Sequence, residues 1–87
     1  MKTIYKYPLL IEGKQDVEMP MGATILSLQM QSGIPCVWAL VDTDNNGIHN
    51  RRFRTFGTGH PIPEELKLVY IDTYQKGGCV FHLFEEI

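Results

Sequence analysis

Arg51, Arg52 and Arg54 stand within four positions and supply three of the chain's eight basic residues. Successive side chains of a strand alternate between faces, so Arg52 and Arg54 share a face with Phe56. A guanidinium fork binds phosphate bidentately and also stacks on an aromatic ring or a base. The segment runs directly into Gly57-Thr58-Gly59-His60. Glycines let backbone amides approach an anion, Thr58 offers a hydroxyl, and His60 adds a donor or a stacking face. Arg52, Arg54, Phe56, Gly57, Thr58, Gly59 and His60 therefore form the candidate site for a phosphorylated, base-containing ligand. The same arginines also suit an exposed strand face on which they pair with Asp42, Asp44 or Glu64. The Gly-Thr-Gly step is neither a Walker nor a dinucleotide fingerprint.

Other chemistry is weaker. Ser27 and Ser32 lie in no nucleophile-elbow context. His60 with Glu64 or Glu65 is the one acid-base pairing that a small nucleotide hydrolase would use. His49, His60 and His82 show no metal-ligand spacing, so no metal or cofactor is expected. His82 reads as a half-buried, hydrogen-bonded residue of the last strand. Asp42-Thr43-Asp44-Asn45-Asn46-Gly47 matches the first half of a calcium loop, but its twelfth position is Phe53 and not a bidentate Glu. A plain turn is expected there, since Asp and Asn bond their own backbone. Cys36 and Cys79 stand alone and read as two small core hydrophobes.

The elements that carry these residues alternate with period two, not 3.6. Strands are expected at residues 3–11, 16–19, 24–31, 36–41, 51–56, 67–75 and 79–85. Pro8 suggests an edge or a kink in the first of them. In the third strand Leu26, Leu28 and Met30 form an apolar row, against a mostly polar row of Ile25, Ser27, Gln29 and Gln31. The fourth, CVWALV, is apolar on both faces, with Trp38 in the core. Tyr70, Asp72 and Tyr74 are expected on one face of the sixth. Ser32-Gly33 and Lys76-Gly77-Gly78 are the hairpin turns. Residues 63–66 can form one helical turn, with Pro63 at its start. The expected architecture is a single all-β domain over residues 1–87, a small antiparallel barrel or sandwich of six to seven short strands.

The chain has 87 residues, 44% hydrophobic and 21% charged, as a folded globular domain has. Eight basic residues against ten acidic ones leave a formal charge of -2. That excludes binding to long nucleic acid or to membranes through bulk charge. The apolar run at residues 8–11 is too short for a secretory signal, and no stretch reaches the roughly 20 apolar residues of a membrane helix. A cytoplasmic protein is expected. Several sheet edges and a thin core predict a homo-oligomer, a dimer or a tetramer.

The segments KTIYKYPL, WALVD, FRTFGTGHPIP and FHLFE together resemble a family of very small phage-encoded proteins, over nearly the whole chain. The size and the β-rich oligomer expected here also look like the phage sponge proteins. Those bind cyclic nucleotide or ADP-ribose-type signals of bacterial immune systems such as CBASS, and hold them without cleavage. The resemblance implies a non-enzymatic protein that sequesters a cyclic dinucleotide or a cyclic ADP-ribose in the host cytoplasm. An alternative is a module that inhibits a host protein through a free edge or the Gln29/Gln31 face; a second is the hydrolase.

Overall fold

The computed structural model describes residues 1–87. Seven antiparallel strands occur in chain order: β1 (Lys2–Pro8), β2 (Lys14–Pro20), β3 (Thr24–Gln31), β4 (Ile34–Asp42), β5 (Ile48–Gly57), β6 (Leu68–Lys76) and β7 (Cys79–Glu86). They form a three-stranded sheet ordered β1-β4-β3 and a four-stranded sheet ordered β2-β5-β7-β6. The molecule measures 41 × 33 × 16 Å. Its short axis matches two sheets stacked about 10 Å apart, so the fold is a sandwich and not a closed barrel. No helix is present, and none is therefore long and apolar enough to cross a membrane.

Local chemistry accounts for both tight hairpins. Ser32 and Gly33, at φ of 50° and 78°, join β3 to β4, and Gly77 and Gly78, at 59° and 81°, join β6 to β7. Two consecutive residues with positive φ make the turn whose twist matches that of the flanking strands. Glycine enters this region without a Cβ clash, whereas Ser32 does so with one.

The core lies between the sheets. Val37, Ala39 and Val41 of β4 and Leu28 of β3 meet Phe53, Leu83, Met19 and Tyr74 from the other sheet. Trp38 does not join them. It alternates with Val37 and Ala39 and is half-buried on the outer face of its sheet, so the expectation of a core tryptophan fails through strand parity. Cys36 is buried, but Cys79 is exposed where β7 leaves its turn, so only one cysteine is a buried hydrophobe.

Two β-bulges change faces that strict alternation predicts. In β3 the register shifts between Ile25 and Ser27. Ile25 therefore packs on the core, while Leu26 is 49% exposed. In β6 the shift falls between Tyr70 and Asp72. Tyr70 thus pairs with Phe84 on the outer face, whereas Tyr74 is buried. A bulge inserts one residue and so inverts the parity beyond it. Strand β1 ends at Pro8 and not at residue 11. From there Leu9 donates to the Pro35 carbonyl, and Leu10 exchanges two hydrogen bonds with the Gln15 side chain. Residues 63–66 form only a turn, in which Leu66 donates to the Pro63 carbonyl at 3.3 Å.

Candidate functional site

Strand β5 sends its arginines to both faces. Arg51 points inward. It binds both carboxylate oxygens of Glu85 and donates to the Ala23 carbonyl at 2.7 Å. Glu85 raises its affinity for the proton further above the usual arginine value. Arg52 points outward and grips Asp16, with Nε···Oδ1 at 2.8 Å and Nη2···Oδ2 at 3.3 Å. That contact holds the Asp16 carboxyl below its usual range. Arg54, also outward, donates through Nε alone to Glu86 Oε1 at 2.6 Å. Its two terminal nitrogens have no protein partner. The arginines thus pair with Asp16, Glu85 and Glu86, while Asp42 and Asp44 bind the Met1 amine.

The outer face of the four-stranded sheet carries an aromatic row. Arg54 pairs in register with Phe84, which pairs with Tyr70; in the next row Phe56 pairs with His82, which pairs with Thr73. The Phe56 and Phe84 centroids lie 5.8 Å apart at 70°, and those of Tyr70 and Phe84 5.4 Å apart at 64°. Edge-to-face geometry is the favourable one for such rings. His82 is hydrogen-bonded on both nitrogens: Nε2 to the Thr58 hydroxyl at 2.7 Å and Nδ1 to the Thr73 hydroxyl at 3.0 Å. The Thr73 hydroxyl also meets the Tyr70 phenol at 2.5 Å.

The residues singled out in the sequence fall into two neighbourhoods. Arg52 lines a polar groove of about 440 Å³ with Asp16, His49, Asn50 and Glu86. Gly57, Thr58 and His60 line a separate hollow of about 370 Å³ with Gly78, Cys79 and Phe81. At about 3.3 Å per residue, six positions of strand put Arg52 about 20 Å from Thr58, so no one cavity unites them. Arg54, Phe56 and Thr58 do share the outer face with the aromatic row. Gly59 sits in the turn at φ 85°. The His60 ring lies so close to Gly57 that a Cβ there would be 2.9 Å from its Cε1. No hydrogen bond joins His60 to Glu64 or Glu65. No group of three His, Cys, Asp or Glu side chains is arranged to hold a metal. Asp42-to-Gly47 is a turn closed by its own side chains: Asp42 accepts from the Asp44 amide and Asn45 from the Gly47 amide.

Thr73 and Phe84 escape the sequence reading. Tyr70 is expected there beside Tyr74, and His82 is, as expected, a half-buried and hydrogen-bonded residue of the last strand, but neither is assigned to the site. Alternation within FHLFE does put His82 and Phe84 on one side. Their neighbours come from strands paired through register, which no local signal states.

The fold is a small antiparallel all-β sandwich that carries an aromatic and hydrogen-bonding patch on one outer face. The chain belongs to the family described as a domain of unknown function (DUF7352), whose match covers residues 1–87. No curated protein and no solved structure matches it significantly.

Proposed function

We propose that this protein binds a small nucleotide on the outer face of the four-stranded sheet and holds it without cleavage. The observation that carries the reading is the row Arg54–Phe84–Tyr70, in which an aromatic centre stands beside a guanidinium with two uncommitted nitrogens. A base stacked on Phe84 or Phe56 would gain about 1–3 kcal/mol, as bases on protein aromatics do. Arg54 would meet the phosphate, and it is the better candidate of the two outward arginines because Arg52 is already held by both oxygens of Asp16. The Gly57–His60 turn borders this face through Thr58. A cyclic dinucleotide or a cyclic ADP-ribose, sequestered as in the phage sponge proteins, is the ligand class the reading favours. Association of two or four copies would enclose an otherwise open face.

The test is capture and release. The protein is incubated with cyclic dinucleotides, cyclic trinucleotides and cyclic ADP-ribose isomers, filtered, and the retentate heated. Depletion of one compound from the filtrate and its intact recovery on heating is the expected result. Recovery of an altered compound would mean an enzyme and return attention to His60. No depletion of any compound would overturn the nucleotide reading.

A second reading, a module that inhibits another protein, draws on one apolar patch. Leu10, Ile11 and Ile34, exposed by 61%, 39% and 47%, surround a hollow of about 450 Å³ at one end of the sandwich. That reading predicts a stable protein complex indifferent to nucleotide.

A further inference from the structure

We propose that the Thr58–His82–Thr73–Tyr70 chain is the sugar-reading part of this face and makes the site select ribonucleotides over deoxyribonucleotides. The inference rests on the nucleotide reading above and deepens it.

The argument begins with the imidazole. A neutral histidine has one donor nitrogen and one acceptor nitrogen, and here each faces a hydroxyl. Two arrangements therefore satisfy every bond. In one, Nε2–H donates to Thr58, Nδ1 accepts from Thr73, and Thr73 accepts from Tyr70. The Thr58 proton is then free to donate outward. In the other, Thr58 donates into Nε2, Nδ1–H donates to Thr73, and Thr73 donates to Tyr70. Thr58 then presents only lone pairs. The Thr58 end can thus offer a donor or an acceptor without breaking any bond of the chain.

A phosphate oxygen or a base carbonyl only accepts, and for such groups this adaptability is superfluous. A sugar hydroxyl both donates and accepts. It is the ligand group that a reversible hydroxyl–imidazole chain fits. Position agrees with chemistry. His82 lies one side-chain repeat before Phe84 on the same face of β7, about 7 Å away, and Thr58 lies beyond it. Arg54 stands beside Phe84 on the neighbouring strand. A nucleotide stacked on the aromatic centre can then direct its phosphate to the guanidinium and its sugar to the chain. Both ends of the chain are exposed, at Thr58 and at Tyr70.

The experiment measures affinity by calorimetry for two matched pairs: cyclic di-AMP against its 2′-deoxy analogue, and ATP against dATP. The unaltered protein is expected to bind a ribose form about five- to tenfold more tightly, the effect of one hydrogen bond. Thr58→Val keeps the side-chain shape and removes the hydroxyl. It is expected to bring the ribose form to the deoxy level and leave the deoxy form unchanged. A role of Thr58 in structure alone would weaken both sugars together, which would overturn the inference, as would equal affinity for the two sugars in the unaltered protein. Binding of neither member of either pair would overturn the inference, while the nucleotide reading stands or falls separately, on capture of any compound of the wider set. Unfolding midpoints of both proteins check that Thr58→Val is folded.

Discussion

Arg51 and Glu85 face each other inside the sandwich, bridged by two guanidinium nitrogens and both carboxylate oxygens, with Nη2···Oε1 at 2.8 Å. Their side chains are only 11% and 15% exposed. One position further along β5, Arg52 points to the opposite face, where its pair with Asp16 is 41% and 36% exposed. One run of arginines thus serves two purposes, and strand parity assigns them. The inner pair lies at the seam where β3 and β6 approach each other, in a groove lined by Ile25, Leu26 and Ile71.

Removing one partner of this half-buried, bidentate pair leaves the other charge only partly hydrated, at about 1.5–3 kcal/mol. Glu85→Ala is expected to lower stability by that order, and Glu85→Gln by less because its carbonyl still accepts. Urea denaturation measures both. A loss under about 1 kcal/mol for Glu85→Ala would mean that the pair behaves as a solvated surface contact.

The outer pair acts through pH. Arg52 holds the Asp16 carboxyl below its usual value. A depressed folded-state pKa contributes stability above the unfolded value, near 3.8, and that stability disappears as pH falls through the folded value. Arg52→Gln should therefore be less stable than the unaltered protein at pH 7, and the two should converge in acid. A difference that persists unchanged to pH 2 would exclude Asp16 as its source.

Tyr74 gives the opposite limb. Burial raises its phenol above the usual value of 10.0. With the folded pKa raised, stability is intact below the unfolded value and is lost as pH rises through the folded one. Tyr74→Phe is expected to flatten the alkaline part of the stability curve above pH 10. Tyr7, raised by its own burial, leaves a residual slope. Thermal melts across that range test the difference.

Phe53 and Phe84 separate folding from binding. Phe53 is fully buried, so Phe53→Ala is expected to cost about 3–5 kcal/mol. Phe84 is half-buried on the outer face. Phe84→Ala should cost less, leave the fold intact and abolish nucleotide retention. Retained nucleotide in a folded Phe84→Ala protein would remove the aromatic row from the site.

Ser32 occupies a left-handed conformation at φ 50° in the β3–β4 turn. Asparagine tolerates that region better and precedes glycine in the preferred two-residue hairpin. Ser32→Asn should raise stability by about 0.5–1 kcal/mol, seen as a higher urea midpoint at unchanged slope.

The strands, their order of appearance and both tight hairpins were legible because their causes are local. Period-two alternation marks the strands, and Ser32-Gly33 and Gly77-Gly78 supply positive φ at the turns. The arginine face was also legible, since parity alone sets Arg52, Arg54 and Phe56 on one side. Trp38, Leu26 and Tyr70 were misread for related reasons. An apolar strand does not state which of its faces is covered, and a bulge inserts a residue without any composition signal. The partners of the site were not legible at all. His82 stands opposite Phe56 and Thr73, and Asp16 opposite Arg52, only because β7, β6 and β2 settle in one register. The sequence by itself determined that this chain makes short strands and where they turn, because those preferences reside in neighbouring residues. Only the tertiary structure decided that Arg51 pairs inward with Glu85 while Arg54, Phe84 and His82 gather on one exposed face, because register is chosen by burying the whole core at once.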